Sequence, residues 1–300
     1  MRKRGLVLGG VTALALTLAM PMKQACADIT NNATPEAGAN AATPAPAAGA
    51  TVTAAPAMGV LDHLALAYWG VYYGPSLSKM DQNTPTPTGD SGGAQYIDGY
   101  FTLGARPTKS TLVGVGLPLT FTPVMGQGAK IPDMFVKVQD SKLISSGGFN
   151  MNGFVRFYAP TTGTSQSNNM IVSPRLEQVS TYDFANSRVE IGAYTFIRPY
   201  FYAGNAGSPD ATQLALDVSP FLNFTLTPTV QATLWTDIIQ MTSPRSGSAL
   251  ALINQETDVE PGVNWDITPK LSINPYINIY PGNMSLSATS IGMVIAAKAL

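Results

Sequence analysis

The stretch "ETDVEPGVNWDITPKLSINPYINIY", residues 256–280, alternates almost without a slip. Thr257, Val259, Pro261, Val263, Trp265 and Ile267 share one parity, and Asp258, Glu260, Gly262, Asn264 and Asp266 the other. After a short break the pattern resumes, with Leu271, Ile273, Pro275, Ile277 and Ile279 set against Ser272, Asn274, Tyr276, Asn278 and Tyr280. A period of two is a β-strand with two chemically opposite faces. Such segments run ~10 residues, the length a tilted strand needs to cross a bilayer. A soluble sandwich uses strands nearer ~6 residues.

Other segments behave in the same way. Leu214, Leu216, Val218, Pro220, Leu222 and Phe224 alternate with Gln213, Asp217, Ser219 and Asn223. Phe149, Met151, Val155 and Phe157 alternate with Asn150, Asn152, Arg156 and Tyr158, and Val189, Ile191, Ala193, Thr195 and Ile197 with Glu190, Tyr194 and Arg198. Tight turns separate them. "LTPTV" at 226–230 and "ITPKL" at 267–271 each place three residues between apolar ones, so that Leu226 faces Val230 and Ile267 faces Leu271 across the hairpin. "FANSR" centres a third turn on Asn186, 42 residues before Pro228, which lies 41 before Pro269. Steps of similar length lead back to "DSKLISSGG" around Ile144 and "ARPTK" around Arg106. Five turns at this spacing divide residues 60–300 into twelve up-and-down strands. The opposite connections, such as "GPSLSKMDQNTPTPTGDSGGAQ" and "PTTGTSQSNN", are longer and more polar. Short turns at one end and long loops at the other are the pattern of an outer-membrane barrel, with the short turns periplasmic.

On these residues the chain resembles the medium-sized, single-chain outer-membrane β-barrels of Gram-negative bacteria, over roughly residues 60–300. More loosely, "DMFVKVQDSKLISSGGFNMNGFVRFYAP" is similar to uncharacterised barrels of predatory bacteria. The fold class expected is therefore all-β, a membrane-spanning antiparallel barrel of twelve strands. Tyr72, Tyr73, Phe201, Tyr202 and Tyr280 are expected at its outer rim and Phe184, Phe224 and Trp265 at its inner one, as interfacial girdles. Four prolines speak against it. Pro199, Pro220, Pro261 and Pro275 each delete a ladder hydrogen bond, and a barrel has no edge on which to place them.

The rest of the chain fits export. Arg2, Lys3 and Arg4 precede an apolar run to Met22, and "KQACAD" supplies small residues at Ala25 and Ala27, so residues 1–27 read as a cleaved signal peptide. Cleavage removes Cys26, the one cysteine, and leaves 13 basic against 18 acidic residues, a balance that argues against nucleic acid as a partner. Residues 28–59 hold twelve alanines and four prolines but almost no large apolar side chain, the composition of a flexible periplasmic tether. Only 12% of the chain is charged although 45% is hydrophobic, sparse in charge for a soluble domain, where ~25% is usual.

Charges on the polar parity define the candidate site. Arg156, Arg175 and Arg198 on strands five to seven, and Asp217, Asp237, Asp258 and Glu260 on strands eight to ten, all lie seven to nine residues from their nearest tight turn. They are expected as one lumenal belt, arginines on one wall and carboxylates on the other, which either steers ions or fills the lumen with ion pairs. Enzyme readings fare poorly. His63 is the one histidine, and Ala65 stands where outer-membrane phospholipases carry the serine two residues after theirs. Asp62 and His63 are adjacent, so on a strand they point to opposite faces, unlike the histidine–aspartate pairs of omptin-type proteases. No phosphate-binding loop, metal spacing or cofactor motif is present. The function expected is a passive channel for small hydrophilic solutes or ions in outer-membrane lipid. The alternatives are a structural or surface-recognition barrel and, last, a hydrolase.

Overall fold

The computed structural model describes residues 63–79, 96–122, 128–204, 207–246, 252–254 and 257–299. The expected signal peptide, the tether, Asp62 and most of the loop Gly74 to Gln95 lie outside them. Twelve long strands form a closed antiparallel barrel. They are β1 (Leu64–Ser76), β2 (Tyr96–Ala105), β3 (Thr111–Thr122), β4 (Phe135–Ser146), β5 (Phe149–Tyr158) and β6 (Met170–Asp183), followed by β7 (Val189–Pro199), β8 (Thr212–Thr227), β9 (Val230–Asp237), β10 (Asp258–Thr268), β11 (Leu271–Asn278) and β12 (Ser290–Lys298). Each pairs with the next, and β12 returns to β1 in register from Ala67↔Lys298 to Tyr73↔Gly292. Ile239–Pro244 continues β9 beyond a break at Ile238. No described helix is long and apolar enough to cross a membrane.

The two parities part as the alternation requires. Leu103, Val115, Val136, Phe157, Leu176, Ile197, Leu222, Leu234, Val263, Trp265 and Ile277 all point outward and are exposed. Against water that surface is far larger than the apolar patch of an ordinary soluble monomer. Against lipid it is the required surface, since closure has already paired the backbone groups around the wall.

The inward parity is only partly polar. One aromatic cluster joins Trp69, Tyr100, Phe135, Tyr158 and Tyr276 with Tyr73 packed on it, and a second joins Phe154, Tyr194, Phe196, Phe221 and Trp235. Several rings lie over inward-facing glycines of the next strand. A Cβ at Gly192 would stand 2.2 Å from the Phe221 ring, and one at Gly116 would stand 2.1 Å from Phe135, so only glycine fits beneath either ring.

Departures from the sequence expectation concern turns and rims. The second tight turn lies at Gly147 and Gly148, both with positive φ (60° and 86°), a type I′ hairpin three residues beyond Ile144. A bulge between Asp140 and Ile144 takes up the extra residues. In the two proline turns, Thr227 pairs with Val230 and Thr268 with Leu271, so Leu226 and Ile267 are the extra residues of bulges and do not face the partners expected. Asn186 does sit at its turn, in the left-handed region at φ 58° that asparagine tolerates. Phe201, Phe184, Phe224 and Trp265 are exposed at strand ends. Tyr73 and Tyr280 are not girdle residues. Tyr73 joins the interior cluster, stacked on Tyr96 at 4.6 Å, and Tyr280 is buried.

The prolines find places where the ladder is already interrupted. Pro220 directs its nitrogen toward β9, where pairing breaks between Phe221↔Trp235 and Val218↔Ile239, and its carbonyl accepts from Thr236 Oγ1 at 3.1 Å. The β6–β7 ladder ends at Leu176↔Ile197, and two residues further Pro174 and Pro199 oppose one another, so two missing donors share one position. Ser173 Oγ donates to the Pro199 carbonyl there at 3.0 Å. Pro261 and Pro275 both fall on the β10–β11 seam, whose pairs are limited to Thr268↔Leu271, Asp266↔Ser272, Trp265↔Ile273, Gly262↔Tyr276 and the bridge Val259↔Ile279. A barrel has no edge, but its ladders have ends and breaks, and these prolines occupy them.

Candidate functional site: the charged lumen

Inward parity and register bring the basic residues into line. Lys137 on β4 is the direct partner of Arg156 on β5, and Arg156 that of Arg175 on β6. Arg198 on β7 lies opposite Arg175, one residue beyond the last ladder pair Leu176↔Ile197. All four are buried, each at most 4% exposed. This is a row along the hydrogen-bonding direction of four consecutive strands. Because barrel strands tilt by ~35–45° and are spaced ~4.8 Å apart, each step also shifts the charge by ~3 Å along the barrel axis. The arginines therefore form an oblique staircase, where counting residues from the turns had suggested a level ring.

Two members of this wall escaped the sequence reading. Lys137 shares the inward parity of Phe135 in "FVKVQD", and Glu177 lies two residues after Arg175 on the same face. Alternation marks both; only the omission of β4 and of a carboxylate among arginines hid them. Glu177 forms ion pairs with both neighbours, its Oε1 lying 2.9 Å from Arg156 Nε and its Oε2 3.5 Å from Arg175 Nε. Tyr194 ties the group together, donating to Glu177 Oε2 at 2.7 Å while accepting from an Arg175 terminal nitrogen at 2.5 Å.

Aromatic faces hold the cations in place. The Arg175 guanidinium lies 3.8 Å from the centre of Phe196, and that of Arg198 lies 3.8 Å from Tyr158 and 4.7 Å from Tyr200. Arg156 lies over Tyr100 and Phe135, and its terminal nitrogen donates to Tyr100 Oη at 3.0 Å. Stacking of this kind favours arginine over lysine, because the guanidinium is planar and weakly hydrated.

The carboxylates occupy the next sector. Asp217 on β8 accepts from Ser219 Oγ at 2.5 Å. Asp237 on β9 and Asp258 on β10 are direct cross-strand partners, Asp237 accepting from Gln240 Nε2 and Asp258 from Asn278 Nδ2 at 3.1 Å. Glu260 lies opposite Trp235. Asp217, Asp258 and Glu260 are buried and Asp237 half-buried. Neither Arg175 nor Arg198 makes an ion pair with Asp217 or Asp237. Arg198 instead turns away from β8, toward Ser173 on β6 and Tyr158 on β5.

Of the residues considered for catalysis, Asp62 lies outside the described residues. His63 is exposed and meets the Arg106 carbonyl at 2.9 Å, and Ala65 is buried. Among the described residues no three His, Cys, Asp or Glu side chains are placed to hold a metal ion.

A closed twelve-strand barrel with an apolar exterior and charges inside is a bacterial outer-membrane β-barrel in class. No protein-family model matches the chain, and no curated protein matches its sequence. Solved structures match its fold. An outer membrane channel from Pseudomonas putida is similar over 81% of this chain and 97% of its own, at 9% identity and TM-score 0.51. Two looser likenesses are an active-site mutant of Escherichia coli outer membrane phospholipase A (79% of this chain, 90% of that one, 9% identity, TM-score 0.36) and Salmonella typhi OmpF in complex with daunomycin (79% and 98%, 9%, 0.37). The resemblance to barrels of predatory bacteria draws no support from these likenesses.

Proposed function

We propose that the protein is a non-enzymatic outer-membrane channel, passing small hydrophilic solutes or ions between two lumenal walls of opposite charge. One observation carries this reading. Arg175 and Arg198 on one wall are buried beside Asp217 and Asp237 on the other, and no ion pair joins them. Charges held apart across a narrow lumen keep a transverse field, and walls closer than the ~8 Å Debye length are only partly screened at physiological salt. The similarity in fold to the Pseudomonas putida channel is in keeping with it.

The test is reversal potential under a salt gradient in planar bilayers. Replacing Arg156, Arg175 and Arg198 together by Gln should shift the pore towards cations. Replacing Asp217, Asp237 and Asp258 by Asn should shift it towards anions. Three conducting proteins with one ion preference would remove these residues from the conducting path. The second reading, a structural barrel closed by ion pairs, rests on Glu177 bridging Arg156 and Arg175. It is the outcome if wild type is silent while the variants leak or unfold.

A further inference from the structure

Arg198 stands apart from the other arginines of the staircase. Arg156 and Arg175 share Glu177, whereas Arg198 has no carboxylate within ion-pair distance among the described residues. Its partners are all in view. Nε donates to Ser173 Oγ at 2.9 Å, Ser173 is itself held by the Pro199 carbonyl, and the rings of Tyr158 and Tyr200 lie against the guanidinium. Its two terminal nitrogens, with four N–H donors, meet no acceptor among the described residues. The side chain is nevertheless 97% withdrawn from solvent. A guanidinium so placed costs desolvation that no ion pair among the described residues offsets. Asp217 on the adjacent strand is a diagonal neighbour, and Arg198 points away from it.

The shape of this site selects its ligand. Rings against the planar cation leave its edge as the direction of approach, and that edge presents parallel N–H donors. A carboxylate matches them with two short charge-assisted bonds, whereas chloride or an ammonium group does not. Arg198 also lies one residue from the end of β7, at the long-loop end of the lumen. From there the row descends through Arg175 and Arg156 to Lys137.

We propose that Arg198 is a lumenal seat for small carboxylate-bearing solutes, taking them in plane through its two terminal nitrogens and passing them along the basic staircase. The role of the seat in passage rests on the channel reading above; the binding itself does not. Acetate is the probe. Saturation-transfer NMR on the full protein refolded in detergent should show saturable acetate binding, and acetate conductance in bilayers should saturate over the same range. Arg198→Gln should abolish the saturable signal. Arg198→Lys, which keeps the charge but loses the fork, should weaken it at least ~5-fold. Ser173→Ala, which frees Nε and leaves the charge in place, should weaken it less. It carries the test if the glutamine variant does not refold. Unchanged acetate binding in Arg198→Gln, or equal binding in Arg198→Lys, overturns the seat. A wild type that binds acetate but does not conduct removes the channel and leaves the seat. A wild type that conducts without saturable acetate binding removes the seat and leaves the channel.

Discussion

Glu177 does more for the interior than its single charge suggests. It is the acidic member of a wall that carries Lys137, Arg156, Arg175 and Arg198, it contacts two of the arginines, and it accepts the Tyr194 hydroxyl. Replacing it by Gln keeps its size but leaves two adjacent buried guanidiniums facing each other without a counter-charge. Breaking a buried pair in this way costs ~3–5 kcal/mol. Glu177→Gln should therefore lower the guanidinium chloride midpoint of the refolded barrel markedly, and where it folds the pore should favour anions more than wild type does. An unchanged midpoint would mean that water, not Glu177, compensates the arginines. The seven charges singled out from sequence all carry inward parity. Their mutual geometry was hidden, because height counted from a turn ignores both the bulges at Leu226 and Ile267 and the oblique run of the ladder.

At the scale of elements, alternation carried nearly everything. The strands, their inward and outward faces and the turn at Asn186 follow from residues two apart, since a one-residue slip would turn a whole strand inside out. Bulges are less legible, because one extra residue leaves no compositional trace. Glycines under rings are the other hidden device: "GVG" in β3 reads as a weak strand until Phe135 is seen lying on Gly116. The prolines become intelligible only with the register in hand. The β10–β11 seam is the case to test, as Pro261 and Pro275 each remove a donor from neighbouring pairs. Pro275 points outward and is exposed, so Pro275→Val adds an N–H toward β10 without disturbing the interior. One restored ladder bond is worth ~1 kcal/mol, and valine suits a strand facing lipid. Thermal conversion from folded to unfolded migration in detergent gels should move to higher temperature. A lower conversion temperature would show that the seam needs proline's fixed φ more than the extra bond.

For the whole molecule, the choice is between water and lipid outside the same closed sheet. Closure leaves no unpaired edge to aggregate, since β12 lies between β11 and β1 over eight paired residues on each side. A closed barrel with its outer face in water would be indifferent to, or improved by, a charge on that face. A barrel in a bilayer would not, because an arginine at the midplane of the lipid-facing surface costs ~2–4 kcal/mol. Leu234 decides between them. It points outward near the middle of β9, between Leu222 on β8 and Pro261 on β10, and is exposed. Leu234→Arg should fold into phospholipid vesicles with a stability lower by about that amount, read from the denaturant midpoint of its tryptophan emission. Leu226→Arg, at the tight-turn end of the same wall, should lose ~0–1 kcal/mol, because the penalty falls off toward the interface. The gradient between the two positions is the signature of a membrane. Equal stability of both variants and wild type would place the apolar face in water and remove the outer membrane from the account.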